Sequence, residues 1–110
     1  MQKLSKDKNS EVRIGVGANE NTPYSALKLL SKDLDSDVRD SVGSNEHIPI
    51  YLLEELSKDI DSHIRESVAE NRRAPLDIIE NLLHDKDICV SDTAYYIVLE
   101  KEGETTEYTR

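Results

Sequence analysis

The sequence predicts an all-α fold, a solenoid of about three and a half two-helix repeats of 26 residues. The first observation behind this is a recurring phrase. Leu4-Ser5-Lys6-Asp7 returns as Leu30-Ser31-Lys32-Asp33 and as Leu56-Ser57-Lys58-Asp59, each time 26 residues on. The second is a matching pair six residues after each Asp: Val12-Arg13, Val38-Arg39 and Ile64-Arg65. The third is composition. Hydrophobic residues make up 36% and Trp and Phe are absent, so the interior is built from Leu, Ile, Val and Ala, which suits closely packed helices. A strict period in this range means units that bury their apolar faces on their neighbours.

The copies run over 4–29, 30–55 and 56–81, with a partial capping copy at 82–101. Each reads as two short helices. The first begins at Pro23, Pro49 and Pro75, because proline's missing N–H has no helical partner to lose in the first turn. Its buried stripe is Leu27 and Leu30, Leu53 and Leu56, Ile79 and Leu82, widened by Ala26, Leu52 and Ile78. Thr22 is the expected N-cap of the first of these helices; Ile48 and Ala74 are poor caps. The turns Asp33-Leu34-Asp35-Ser36 and Asp59-Ile60-Asp61-Ser62 follow, with Ser36 and Ser62 as expected N-caps of the second helix. That helix places Val38 and Val42, then Ile64 and Val68, on one face. It closes at Asn19, Asn45 and Asn71, a residue that tolerates the left-handed conformation. Gly17, Gly43 and Ala69 mark the place where helices approach closely; Tyr95 stands there in the last copy. The final helix is expected from about Cys89 to about Lys101, and 102–110 reads as a flexible polar tail.

The acidic and basic residues of the phrase form a structural set: Asp7 with Arg13, Asp33 with Arg39, and Asp59 with Arg65. A guanidinium in the first turn of the second helix can bond two acceptors of its own or an adjacent repeat. The pattern L-x-x-D-x-D-x-x-V-R-x-x-V followed by N-x-x-x-P resembles the HEAT-like class of helical repeat. It is most similar to the leucine-rich repeat variant, over roughly Leu4 to Asp92. The units are shorter than a typical HEAT unit, and there is no cysteine cluster. The resemblance implies a right-handed α/α superhelix, an inter-repeat ladder through Asp33–Arg39 and Asp59–Arg65, and service as a protein-binding scaffold. It also keeps open an enzyme on a HEAT-like scaffold, as in helical-repeat DNA glycosylases or bilin lyases.

Charge narrows the partners. Lys and Arg total 14 against 23 Asp and Glu, a net charge of −9. Nucleic-acid affinity comes from cations set against phosphates, so neither nucleic acid nor an anionic membrane is the expected partner. With a single cysteine, Cys89, neither a disulfide framework nor a four-ligand zinc site is expected within one chain. It reads as a small apolar residue near the packed interface. The sequence holds no apolar stretch long enough for a span and no leader-like start, so cytoplasmic residence is the expectation. His47, His63 and His84 occupy three different repeat positions without helical ligand spacing, so no metal and no cofactor are expected. Equivalent carboxylates on neighbouring helices, roughly 8–10 Å apart, overlap the spacing of inverting glycosidases, but no Trp platform accompanies them.

Two rows on the second helices vary between copies and are the candidate site. One is Glu11, Asp37, His63 and Cys89; the other is Ile14, Asp40, Glu66 and Asp92. The expected function is non-enzymatic: binding of a basic protein segment on the acidic, concave face through Glu11, Asp37, His63, Asp40, Glu66 and Asp92. The alternative is end-to-end self-assembly, with Tyr95, Tyr96, Val98 and Leu99 at one end as cap core or association patch.

Overall fold

A computed structural model describes residues 3–107. Among these the chain is all-helical, with seven α-helices, one 3₁₀ turn at Leu4–Lys6 and no strand. The helices are α1 (Ser10–Ala18), α2 (Tyr24–Leu30), α3 (Ser36–Gly43), α4 (Ile50–Leu56), α5 (Ser62–Glu70), α6 (Leu76–Leu82) and α7 (Ile88–Glu107). The odd-numbered helices start 26 residues apart, as do α2, α4 and α6. The odd helices lie side by side in sequence order, α1 on α3, α3 on α5 and α5 on α7. The molecule measures 53 × 28 × 19 Å, longest along one direction.

The core is one continuous apolar cluster. Leu27, Leu30, Leu53, Leu56, Ile79 and Leu82 are buried, with Ala26, Leu52 and Ile78 beside them. The second helices of each pair add Val38, Val42, Ile64 and Val68, and α7 adds Val90 and Ala94. Thr22, Ile48 and Ala74, considered above as caps, are buried instead, and Thr22 Oγ1 donates to the Val16 carbonyl. The prolines sit one place earlier than expected. Pro23, Pro49 and Pro75 are extended N-cap residues, with ψ near 150°, whose carbonyls accept the first helical N–H bonds. No side chain caps these three helices.

Three further expectations are corrected. The caps of α1, α3 and α5 are Asn9, Asp35 and Asp61, not Ser36 and Ser62; each Oδ1 accepts the N–H two residues ahead. The serines are the first helical residues, one position too late to reach those groups. Asn19 and Asn71 close their helices with extended backbone, and no described residue, glycine included, has positive φ. The last helix does not stop near Lys101: α7 continues through the 102–107 part of the stretch read as a tail. Glu100, Lys101 and Glu102 are good helix formers, and the single Gly103 opposes them by only about 1 kcal/mol. Residues 108–110 lie outside the described residues.

At Gly17 the close approach is real. An added Cβ would land on Ser41 Oγ and stand 3.3 Å from Val42 Cγ2. At Gly43 the nearest atom is Leu56 Cδ1 at 3.7 Å, an ordinary contact. The tight joint is therefore that between α1 and α3, and it loosens one step along.

Candidate functional site

The recurring polar residues are consumed in holding each copy to the next. Arg39 Nε and Nη2 donate to the Asp59 carboxylate at 3.0 and 3.3 Å. Its Nη1 donates to the main-chain carbonyls of Asp33 and Leu34. Arg13 makes the same contacts to Asp33 and to the Asp7 and Lys8 carbonyls; Arg65 makes them to Asp85 and to the Asp59 and Ile60 carbonyls. Of the two partners open to each guanidinium, a carboxylate of its own or of the adjacent repeat, the second is present: the ladder runs between repeats, through pairs 20 residues apart rather than the six-apart pairs Asp33–Arg39 and Asp59–Arg65. The reason is geometric. Within one copy the guanidinium reaches back only to the turn's carbonyls, and its outer edge meets the next copy's Asp. Asp7 contributes its carbonyl alone to Arg13, while its carboxylate caps Asn9 N–H. Asp85 joins the row, which ends there because Ser91 occupies the next arginine position.

The pairs become drier along the chain, from 18% and 14% side-chain exposure at Arg13–Asp33 to 8% and 7% at Arg65–Asp85. The bidentate bond from Arg65 is the main reason the Asp85 carboxyl is held below its ordinary range. The same bond raises Arg65.

A second row was not read from the sequence. Asn45 Nδ2 donates to the carbonyls of Gly17 and Asn19, and Asn71 Nδ2 to those of Gly43 and Asn45. Their Oδ1 atoms accept from His47 and Arg73 N–H. Both asparagines are buried, so each amide bridges two copies with both ends in use. The signal was present: an amide recurring at one register in every full copy has more to do than end a helix.

Against this frame the candidate recognition residues separate into two groups. Glu11, Asp37, His63 and Asp92 are exposed. Asp40 and Glu66 are half-buried and hydrogen-bonded across copies: Ser67 Oγ donates to Asp40 Oδ1, and Thr93 Oγ1 to Glu66 Oε2. A cleft of about 230 Å³ between α3 and α5 brings Asp37, Asp40 and His63 together with Ser36, Asp61 and Ile64. Glu11, Glu66 and Asp92 do not line it. Asp61 is held below the ordinary carboxylate range, chiefly because it accepts the His63 N–H as a cap. His63 Nδ1 stands 3.2 Å from the same oxygen.

Among the described residues, no group of three His, Cys, Asp or Glu side chains is placed to hold a metal ion. No helix is long and apolar enough to cross a membrane. Cys89 is exposed rather than near the packed interface; Val90 takes the buried position beside it. In the middle of α7, Ile97 and Val98 pack on the core. Tyr95, Tyr96 and Leu99 are exposed, and the two tyrosine rings meet edge to face at 5.9 Å. Comparison with protein families, with curated proteins and with solved structures returned no match.

Proposed function

We propose that the chain is a right-handed α/α solenoid of about three and a half 26-residue repeats that serves as a non-enzymatic protein-binding scaffold. Its second-helix face takes a basic segment of a partner. The observation that carries this reading is the division of labour among polar residues. Arg13, Arg39, Arg65, Asp33, Asp59, Asn45 and Asn71 are tied up between copies, whereas Glu11 and Asp37, which differ from their counterpart His63, are exposed. Asp37 and His63 also share a cleft with Asp40. Charged residues at such a rim steer encounter and set specificity more than they add affinity.

Asp37 tests the face more cleanly than Asp40, whose carboxylate also joins two copies. Affinity capture from native lysate with the wild-type chain and with Glu11→Lys/Asp37→Lys is expected to lose the retained protein at least tenfold in the variant. Equal retention by both removes the face from the account.

A second reading rests on the exposed Tyr95, Tyr96 and Leu99. Tyr95 occupies the register at which Ala69 is buried against the next helix. Self-association through this surface predicts a mass that grows with concentration in light scattering. A monomer mass throughout the series eliminates it.

A further inference from the structure

The edge formed by the turns between the first and second helices has a character opposite to that of the second-helix face. At its tips Leu34 is 100% and Ile60 92% exposed, in a chain whose other aliphatic residues are mostly buried. Lys32, Lys58 and Lys86 stand exposed beside them. The acidic residues of this edge are already engaged. Asp33, Asp59 and Asp85 are paired with arginines, and Asp35, Asp61 and Asp87 accept N–H groups at helix starts. There the helix dipole offsets their charge. Lys32, Lys58 and Lys86 are the cations of this edge that stand in none of its ion pairs. Between the last two turns lies an open cleft of about 510 Å³, lined by Lys58, Ile60 and Lys86 with the Arg65–Asp85 pair among its other residues.

We propose that this turn edge docks an extended, acidic, aliphatic-bearing peptide segment. Its carboxylates lie between Lys58 and Lys86, and its aliphatic side chains lie on Ile60 and Leu34. Spacing favours the match. Packed helices stand roughly 8–10 Å apart, and a polyproline-II chain rises about 3.1 Å per residue with three residues per turn, so every third side chain faces the same side and meets the next turn. A bilayer is the poorer occupant. The two apolar tips, Leu34 and Ile60, offer a narrow line of contact rather than the broad apolar face that insertion into a bilayer interface buries. The edge is separate from the second-helix face, and the two stand or fall independently.

The test is fluorescence anisotropy with a fluorescein-labelled peptide repeating Leu-Glu-Asp. Wild type is to be compared with Lys58→Glu/Lys86→Glu and with Leu34→Ser/Ile60→Ser, all at exposed positions, with folding checked by circular dichroism. Binding is expected to weaken with salt and to fall at least tenfold in each variant, while lysate capture through Glu11 and Asp37 is unchanged in both. Absence of binding, binding that neither variant affects, or binding only to phosphatidylserine vesicles overturns the proposal.

Discussion

Arg65→Ala is expected to lower stability by about 3–5 kcal/mol, the range found when one partner of a buried ion pair is removed. The substitution leaves the Asp85 carboxylate, 7% exposed, with only the Asp87 N–H, and withdraws a donor from the Asp59 and Ile60 carbonyls. For a domain of this size that is a fall of more than about 10 °C in melting temperature, read by calorimetry. Arg13→Ala, at the wetter end of the row, is expected to lose less. Arg65→Lys is not expected to restore the loss, because one ammonium cannot span a carboxylate and two carbonyls as a planar fork does. The pH dependence follows from the lowered Asp85 pKa. Ionised Asp85 favours the folded state, so its contribution is full above the unfolded carboxylate value near 3.9 and is lost as pH falls through the lower folded value. Wild type is therefore expected to lose this increment on acidification below about pH 4, and Arg65→Ala to have no such increment to lose. An Arg65→Ala melting temperature within a degree or two of wild type would show that the pair is not buried as described.

The second large effect is expected at Asn71→Asp. The substitution is nearly isosteric, yet it sets an oxygen where a donor now serves the Gly43 and Asn45 carbonyls at 2.7 and 3.0 Å. At neutral pH it buries an unpaired charge against two acceptors, with an expected loss above about 3 kcal/mol. Asn71→Ala, which removes the donor without adding charge, is expected to lose about 1–3 kcal/mol. The two differ in pH response. Burial beside carbonyls raises the folded pKa of the new carboxyl above its unfolded value. Its penalty is full above the folded pKa and disappears as pH falls to the unfolded one, so Asn71→Asp regains stability relative to wild type between pH 7 and about 4. Asn71→Ala keeps a constant deficit over that window. Asn19→Asp is the control. Asn19 is exposed, and its Oδ1 accepts only the Asn21 N–H, which a carboxylate also does. Its effect should stay within about 0.5 kcal/mol. Denaturant titration at several pH values measures all three.

The period and the helical class were legible because they rest on apolar spacing. The stripe from Leu27 to Leu82 and the pairs Val38–Val42 and Ile64–Val68 depend only on which residues face inward on a helix. An Asp–Arg ladder between repeats was also legible, but not which carboxylate each arginine takes, because stacking decides that. Asp33 and Arg39 are six apart in sequence, but the distance that matters is from Arg39 to Asp59 on the next copy. Asn71 reads locally as a helix terminator; its bridging role exists only when a neighbouring copy presents two carbonyls. Asp40 and Glu66 read as free carboxylates for the same reason, since Ser67 and Thr93 meet them only across the stack. The exposed residues Glu11, Asp37, His63 and Asp92 make no such cross-copy bond to be misread, and their position on the helix surface followed from sequence register alone. The 102–107 segment was misread because its polarity suggested a tail, whereas α7 continues through it.

The arginines hold their own turns through main-chain carbonyls, but their bonds to carboxylates join successive copies. Asp59 decides it, because its carboxylate meets Arg39 of the preceding copy while only its carbonyl meets Arg65 of its own. Two double-mutant cycles sharing Asp59→Ala, one with Arg39→Ala and one with Arg65→Ala, measure both couplings on one scale. The predicted result is a coupling above about 1 kcal/mol with Arg39 and one within about 0.5 kcal/mol of zero with Arg65. The reverse order, with Asp59 coupled to Arg65 and indifferent to Arg39, would contradict the account.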